Sequence, residues 1–232
     1  MALLLDPPPQ ILAEVHGHDD VVPVRRVFCV GRNYAAHARE MGKDPDREPP
    51  FFFTKWAETV VPGGSTIAYP LATEDYHWEI ELVAVIGLSG IKIPAASARD
   101  HIIGYAVGLD MTRRDLQARA KEMGRPWDTG KNGVQSAPLG PIHLARDAGH
   151  IDTGRISLEV NGELKQDGDI ADLIWSIDEV IEHLSGLYRL EPGDLIYTGT
   201  PAGVGAAKPG DRLVGCVAGL SDLEITIGPR EA

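Results

Sequence analysis

Residues 76 to 87 constrain this chain more than any other stretch, because Tyr-His-Trp-Glu-Ile-Glu-Leu runs straight into Val-Ala-Val-Ile-Gly. The first half alternates with period two, so as a strand it turns His77, Glu79 and Glu81 to one face and Trp78, Ile80 and Leu82 to the other. Two carboxylates on one strand face lie about 6.6 Å apart, and on a half-buried surface they repel unless a proton or cation lies between them. A hard divalent ion held by oxygen is the simplest answer; a solvated strand face is the ordinary alternative. Val83 to Ile86 has no polar face and reads as a strand buried on both sides, so the carboxylates sit where the chain goes inside.

The rest of the chain must close a core around that strand. With 232 residues, 43% of them hydrophobic and no low-complexity block, it has enough apolar material for one domain over residues 23–232, behind a polar, proline-rich extension at 1–22. A formal net charge of −12 argues against nucleic-acid and anionic-membrane partners, so any anionic substrate has to be drawn in by local cations. Only two cysteines, Cys29 and Cys216, occur, both in apolar runs that suit reduced core residues and a cytoplasmic location. The start lacks the basic flank and long apolar core of a signal peptide, and no run approaches membrane-spanning length.

Several polar residues fall where chemistry could use them. Val27 to Gly31 reads as a buried strand, with Asn33 placed to cap a helix from Tyr34 to Met41. His37 and Glu40 are three apart on that helix, so a carboxylate orients an imidazole and raises its basicity, as a water-activating base requires; an exposed surface contact is the alternative. Ile102 to Leu109 reads as a strand delivering Asp110 at its C-terminal end, the third candidate metal ligand. Thr112-Arg113-Arg114-Asp115 has the pattern of a capping box, and beyond it Arg114 and Gln117 share a helix face suited to a substrate carboxylate or to plain solvent. Asn161-Gly162 predicts a hairpin, and Ser176-Ile177-Asp178-Glu179 a second capped helix. Thr198 to Gly205 has neither phosphate-loop nor dinucleotide spacing, though its backbone N–H groups can hold an anion.

Taken together, Gly31-Arg32-Asn33-Tyr34 with His37 and Glu40, His77-x-Glu79-x-Glu81, Leu109-Asp110-Met111-Thr112-x-Arg114-Asp115 and Thr198-Gly199-Thr200-Pro201-x-Gly203-Val204-Gly205 resemble the fumarylacetoacetate hydrolase family from about Val27 to the C-terminus. Within it, the Met111–Gln117 and Gln166–Trp175 segments are most similar to the fumarylpyruvate hydrolase and acylpyruvase branch. The resemblance implies an α+β fold, a mixed β-roll with short flanking helices, usually a homodimer. It implies Mg²⁺, or Mn²⁺ or Ca²⁺, on Glu79, Glu81 and Asp110, and catalytic roles for His37, Glu40 and Lys131. Arg32, Arg114, Gln117, Gly199 and Thr200 become the candidates to bind substrate. The implied reaction is hydrolysis of a carbon–carbon bond in a 2,4-dioxo acid, with fumarylpyruvate giving fumarate and pyruvate as in gentisate-type aromatic degradation. Alternatives within the fold are an oxaloacetate decarboxylase or tautomerase and a non-catalytic, metal-dependent oxo-acid binder. Two departures stand out: Trp56 where relatives usually carry proline, and Asn132-Gly133-Val134-Gln135 after Lys131 in place of an Ala-Phe-Asp-His-like run.

Overall fold

The computed structural model describes residues 3–35 and 48–231. Its spine is the Ile80–Ile86 strand, buried at every position, paired antiparallel with Ile102–Leu109 on one side and Asp194–Tyr197 on the other. These three belong to an eight-stranded mixed sheet that continues through Arg26–Gly31 to Phe51–Lys55 at one end and through Ala137–Leu139 to Val60–Pro62 at the other, with His143–Leu144 paired on Ile102–Leu109. A five-stranded sheet runs in the order Glu163–Asp169, Arg155–Val160, Arg212–Val217, Leu223–Arg230, Thr66–Tyr69. The fold is thus the α+β, curled mixed-sheet architecture expected, with few and short helices.

Both faces of the spine are covered, which is why its sequence does not alternate after Leu82. Ile80, Leu82, Ala84 and Ile86 pack with Ile156, Leu158, Leu213 and Ile225 of the second sheet. On the opposite face Val83 and Val85 pack with Val27, Cys29, Leu195 and Leu139. Cys29 is buried and Cys216 half-buried, and both are free thiols. Among the described residues no helix is long and apolar enough to cross a membrane.

Local signals account for several turns. Asn161 and Gly162 both take positive φ, 54° and 81°, the backbone a tight hairpin between Arg155–Val160 and Glu163–Asp169 needs. Ser176 and Glu179 form the expected reciprocal capping box on the Ile177–Leu187 helix. Residues 12–23 close a small antiparallel ladder, Leu12–Glu14 on Val21–Pro23.

Two expectations are corrected. The 76–87 strand is interrupted at Glu79: Tyr76–Trp78 joins Thr112–Arg113 and Gly205–Ala206 in a separate three-stranded ladder, and only Ile80 onward enters the main sheet. The capping box at Thr112 does not form, because the helix starts at Arg114 without a side-chain cap while Asp115 accepts from Thr73 Oγ1 at 2.6 Å. Among the described residues Asn33 Nδ2 donates to the carbonyls of Trp175 and Thr198, and its Oδ1 accepts from Trp175 N at 2.8 Å, so it ties three segments together. The helix expected over Tyr34 to Met41 falls almost wholly outside the described residues.

Candidate active site

The break at Glu79 builds the site. Leaving one ladder and entering another, the chain turns Glu79 inward beside Glu81, and Asp110 N donates to Glu79 O at 2.9 Å, fastening the end of the neighbouring strand to the same point. Carboxylate oxygens of Glu79, Glu81 and Asp110 lie within 4.8 Å of one another, and all three residues are buried.

Among the described residues three cations pair with Glu79 and Asp110. Lys131, on the one-turn Asp128–Lys131 helix, donates to Glu79 Oε2 at 2.8 Å, Asp110 Oδ2 at 2.7 Å and Thr112 Oγ1 at 2.7 Å. Burial works to lower its pKa, but Asp110 and Glu79 outweigh that and hold it above the ordinary lysine range, so it is charged. An ammonium has three N–H donors and all three are engaged; a hydrogen bond from Lys131 to substrate requires one acceptor to let go. Arg114 pairs with Glu79 Oε1 and donates to Gln117 Oε1 at 2.7 Å, fixing both side chains on one helix face. Lys55, at the end of the Phe51–Lys55 strand, is the third. Its buried ammonium lies 2.9 Å from Asp110 Oδ1 and donates to Met111 O at 3.1 Å, to Ser136 Oγ at 2.9 Å and to Lys131 O. The signal that finds it is strand alternation, which puts Lys55 on the face of Phe51 and Phe53.

These residues fit a divalent ion. The donors are hard carboxylate oxygens, and among the described residues Asp110 Oδ1, although close to Lys55, has no hydrogen-bond partner. Among the described residues Glu81 has no ion-pair partner; only Gly199 N donates to it, at 2.8 Å. Burial, then Asp110 and Glu79, push the Glu81 carboxyl well above the usual carboxylate range, the state a nearby dication would reverse. The cleft in front of the three carboxylates encloses about 30 Å³, room for an ion or a water, and is also lined by Arg32, Lys121 and Thr200.

The remaining candidates divide by what they touch. Thr200 Oγ1 accepts from Gln166 Nε2 at 2.8 Å and faces the cleft. Gly199 commits its N–H to Glu81, and at φ 106° a Cβ there would stand 2.7 Å from Asn33 Cβ. Gly199→Ala is therefore expected to cost about 1–3 kcal/mol and to weaken divalent-ion binding, as thermal melts and a metal titration would read; an unchanged melt would refute this. Arg32 lines the cleft with its backbone in the left-handed region at φ 58°. His37 and Glu40 lie outside the described residues. The two sequence departures belong together: Trp56 N donates to Asn132 Oδ1 at 2.8 Å, a bond that proline at 56 could not supply.

Fold and site together define a metal-ready carboxylate centre in a mixed β-roll. The chain belongs to the fumarylacetoacetate hydrolase family: residues 26–228 match the fumarylacetoacetate hydrolase C-terminal domain. It is 47% identical over 193 residues to a fumarylpyruvate hydrolase from Ralstonia sp, covering 82% of this chain and all of that one. The crystal structure of fumarylpyruvate hydrolase from Pseudomonas aeruginosa, in complex with Mn²⁺ and pyruvate, superposes with a TM-score of 0.97 at 53% identity, over 99% of this chain and 100% of that one. A mitochondrial oxaloacetate tautomerase of Arabidopsis thaliana is 38% identical over 88% of this chain and 92% of its own.

Proposed function

We propose that this protein is a fumarylpyruvate hydrolase, a metal-dependent enzyme that adds water across a carbon–carbon bond to give fumarate and pyruvate. The observation that carries the reading is the buried Glu79, Glu81 and Asp110 group with Lys131 and Arg114 on it, in a chain 53% identical to an enzyme seen with Mn²⁺ and pyruvate. Without an ion, Lys55, Lys131 and Arg114 pair with Asp110 and Glu79 and equal the three carboxylates in number, while Glu81 stands without an ion pair among the described residues. A dication makes the centre net positive, so it calls for an anionic ligand.

A Mg²⁺ or Mn²⁺ ion on these carboxylates would supply electrophilic charge to stabilise the enolate of pyruvate as it leaves. Arg114 and Gln117, locked to each other, are proposed to orient the substrate carboxylate, and Thr200 lies at the cleft wall. His37, oriented by Glu40, is proposed to take the proton of the attacking water, and Lys131 to balance charge growing on the attacked carbonyl oxygen. The enzyme is proposed to work as a homodimer in the cytoplasm, in gentisate-type degradation of aromatic compounds.

The oxaloacetate tautomerases among the relatives favour a second reading, since enolate stabilisation alone serves that reaction. Purified protein assayed with fumarylpyruvate, acetylpyruvate and oxaloacetate, before and after chelation, separates the two. Fumarylpyruvate cleavage that vanishes on chelation and returns with Mg²⁺ or Mn²⁺ is the expected result; turnover of oxaloacetate alone would replace the first reading by the second.

A further inference from the structure

The cleft holds more positive charge than pyruvate release requires. Arg114, Gln117 and Lys121 stand at i, i+3 and i+7 on the Arg114–Glu122 helix, so they follow one another along the same face. Arg114 reaches Glu79 at the inner end, and Lys121 lines the same cleft with Arg32. Among the described residues neither Lys121 nor Arg32 has a carboxylate partner. Each lies against an aromatic ring, Lys121 Nζ 4.8 Å from Trp127 and the Arg32 guanidinium 5.3 Å from Phe51. Those rings also line an adjoining opening of about 510 Å³, which shares Arg32 and Lys131 with the inner cleft. Among the described residues, two cations without a carboxylate partner therefore line the cleft.

Length identifies what they would read. Seven residues of helix advance roughly 10.5 Å. The terminal carboxyl carbons of an extended seven-carbon dioxo diacid are roughly 7–8 Å apart, from bond lengths near 1.5 Å. With one carboxylate at Arg114, such a chain brings its other end to Lys121, whereas an acetyl chain stops short and carries no charge there.

Resting on the acylpyruvate hydrolase reading above, we propose that Lys121, with Arg32 beside it in the cleft, binds the distal carboxylate of the substrate and so selects a fumaryl over an acetyl chain. A cation held half-buried among cations is poorly satisfied until an anion arrives. Burial, then Arg114, Arg32 and Lys131, lower the Lys121 pKa to about 8 against the opposing pull of Glu79. Above that pH the site loses this charge while the inner centre keeps its own.

The test compares kcat/KM for fumarylpyruvate and acetylpyruvate in the Mn²⁺-loaded wild type, Lys121→Met and Lys121→Arg, with calorimetric titration of fumarate into each. In Lys121→Met the preference for fumarylpyruvate should fall roughly 10- to 100-fold, mainly through KM, and fumarate should bind weaker by a similar factor; Lys121→Arg should retain most of both. In the wild type the preference should decline as pH rises through about 8, groups shared by both substrates cancelling in the ratio. An unchanged preference or unchanged fumarate affinity in folded Lys121→Met overturns the inference. If that variant does not fold, a pH-independent wild-type preference overturns it. If the wild type cleaves neither substrate, the hydrolase reading has failed, and the fumarate titration still decides whether Lys121 holds a dicarboxylate.

Discussion

Asp110→Asn is expected to remove fumarylpyruvate cleavage and any oxaloacetate turnover together, by roughly 10³-fold or more, since one lost electrostatic contact at a reacting centre already costs ~10²–10³. Asp110 is fully buried, its backbone N–H is tied to Glu79 O, and its carboxylate faces Lys131 and Lys55. The amide keeps the volume and loses the charge, so the same variant should show divalent-ion affinity reduced well beyond the 10- to 100-fold typical of perturbing a ligand's supporting bonds. Calorimetric metal titration beside both assays reads this. Cleavage within tenfold of wild type would exclude Asp110 from the centre.

Lys131→Met should be the most damaging change to stability as well as to rate. It leaves Glu79 Oε2 and Asp110 Oδ2 buried without the ammonium that bridges them, and breaking a buried ion pair from one side costs about 3–5 kcal/mol. Metal-free protein should therefore melt much lower. Saturating Mn²⁺ should recover more melting temperature in the variant than in wild type, because a dication replaces the missing positive charge. Activity should nevertheless stay down by roughly 10²–10³-fold even with metal, since the ion cannot stand where Lys131 Nζ does. Equal Mn²⁺ stabilisation of both proteins would show that Lys131 and the ion do not share these carboxylates.

The carboxylate centre was legible because alternation is a short-range signal: Glu79, Glu81 and their descent into an apolar run are visible within a dozen residues, and Asp110 at a strand end adds a third. The break at Glu79 was not, because it is set by Thr112–Arg113 and Gly205–Ala206 arriving from distant parts of the chain to capture Tyr76–Trp78. For the same reason Thr112 looked like a helix cap. Its hydroxyl in fact accepts from Lys131 and donates to Asp110 O. Lysines were the hardest to read, since nothing in composition tells a buried ammonium from a solvated one. Lys131 came only through family resemblance, Lys55 had a usable alternation signal, and Lys121 becomes visible once Arg114 is known to face the site.

The central claim is that water, not merely a proton, is added to the substrate. In ¹⁸O-enriched water, hydrolysis places one solvent oxygen in the fumarate carboxylate formed from the attacked carbonyl, while the pyruvate methyl group takes its proton from solvent. Mass spectrometry of fumarate after a single turnover of the Mn²⁺-loaded enzyme on fumarylpyruvate reads this directly. The expected result is cleavage with ¹⁸O retained in fumarate, absent when the metal is chelated. Oxaloacetate enol–keto interconversion with no labelled fumarate would contradict it.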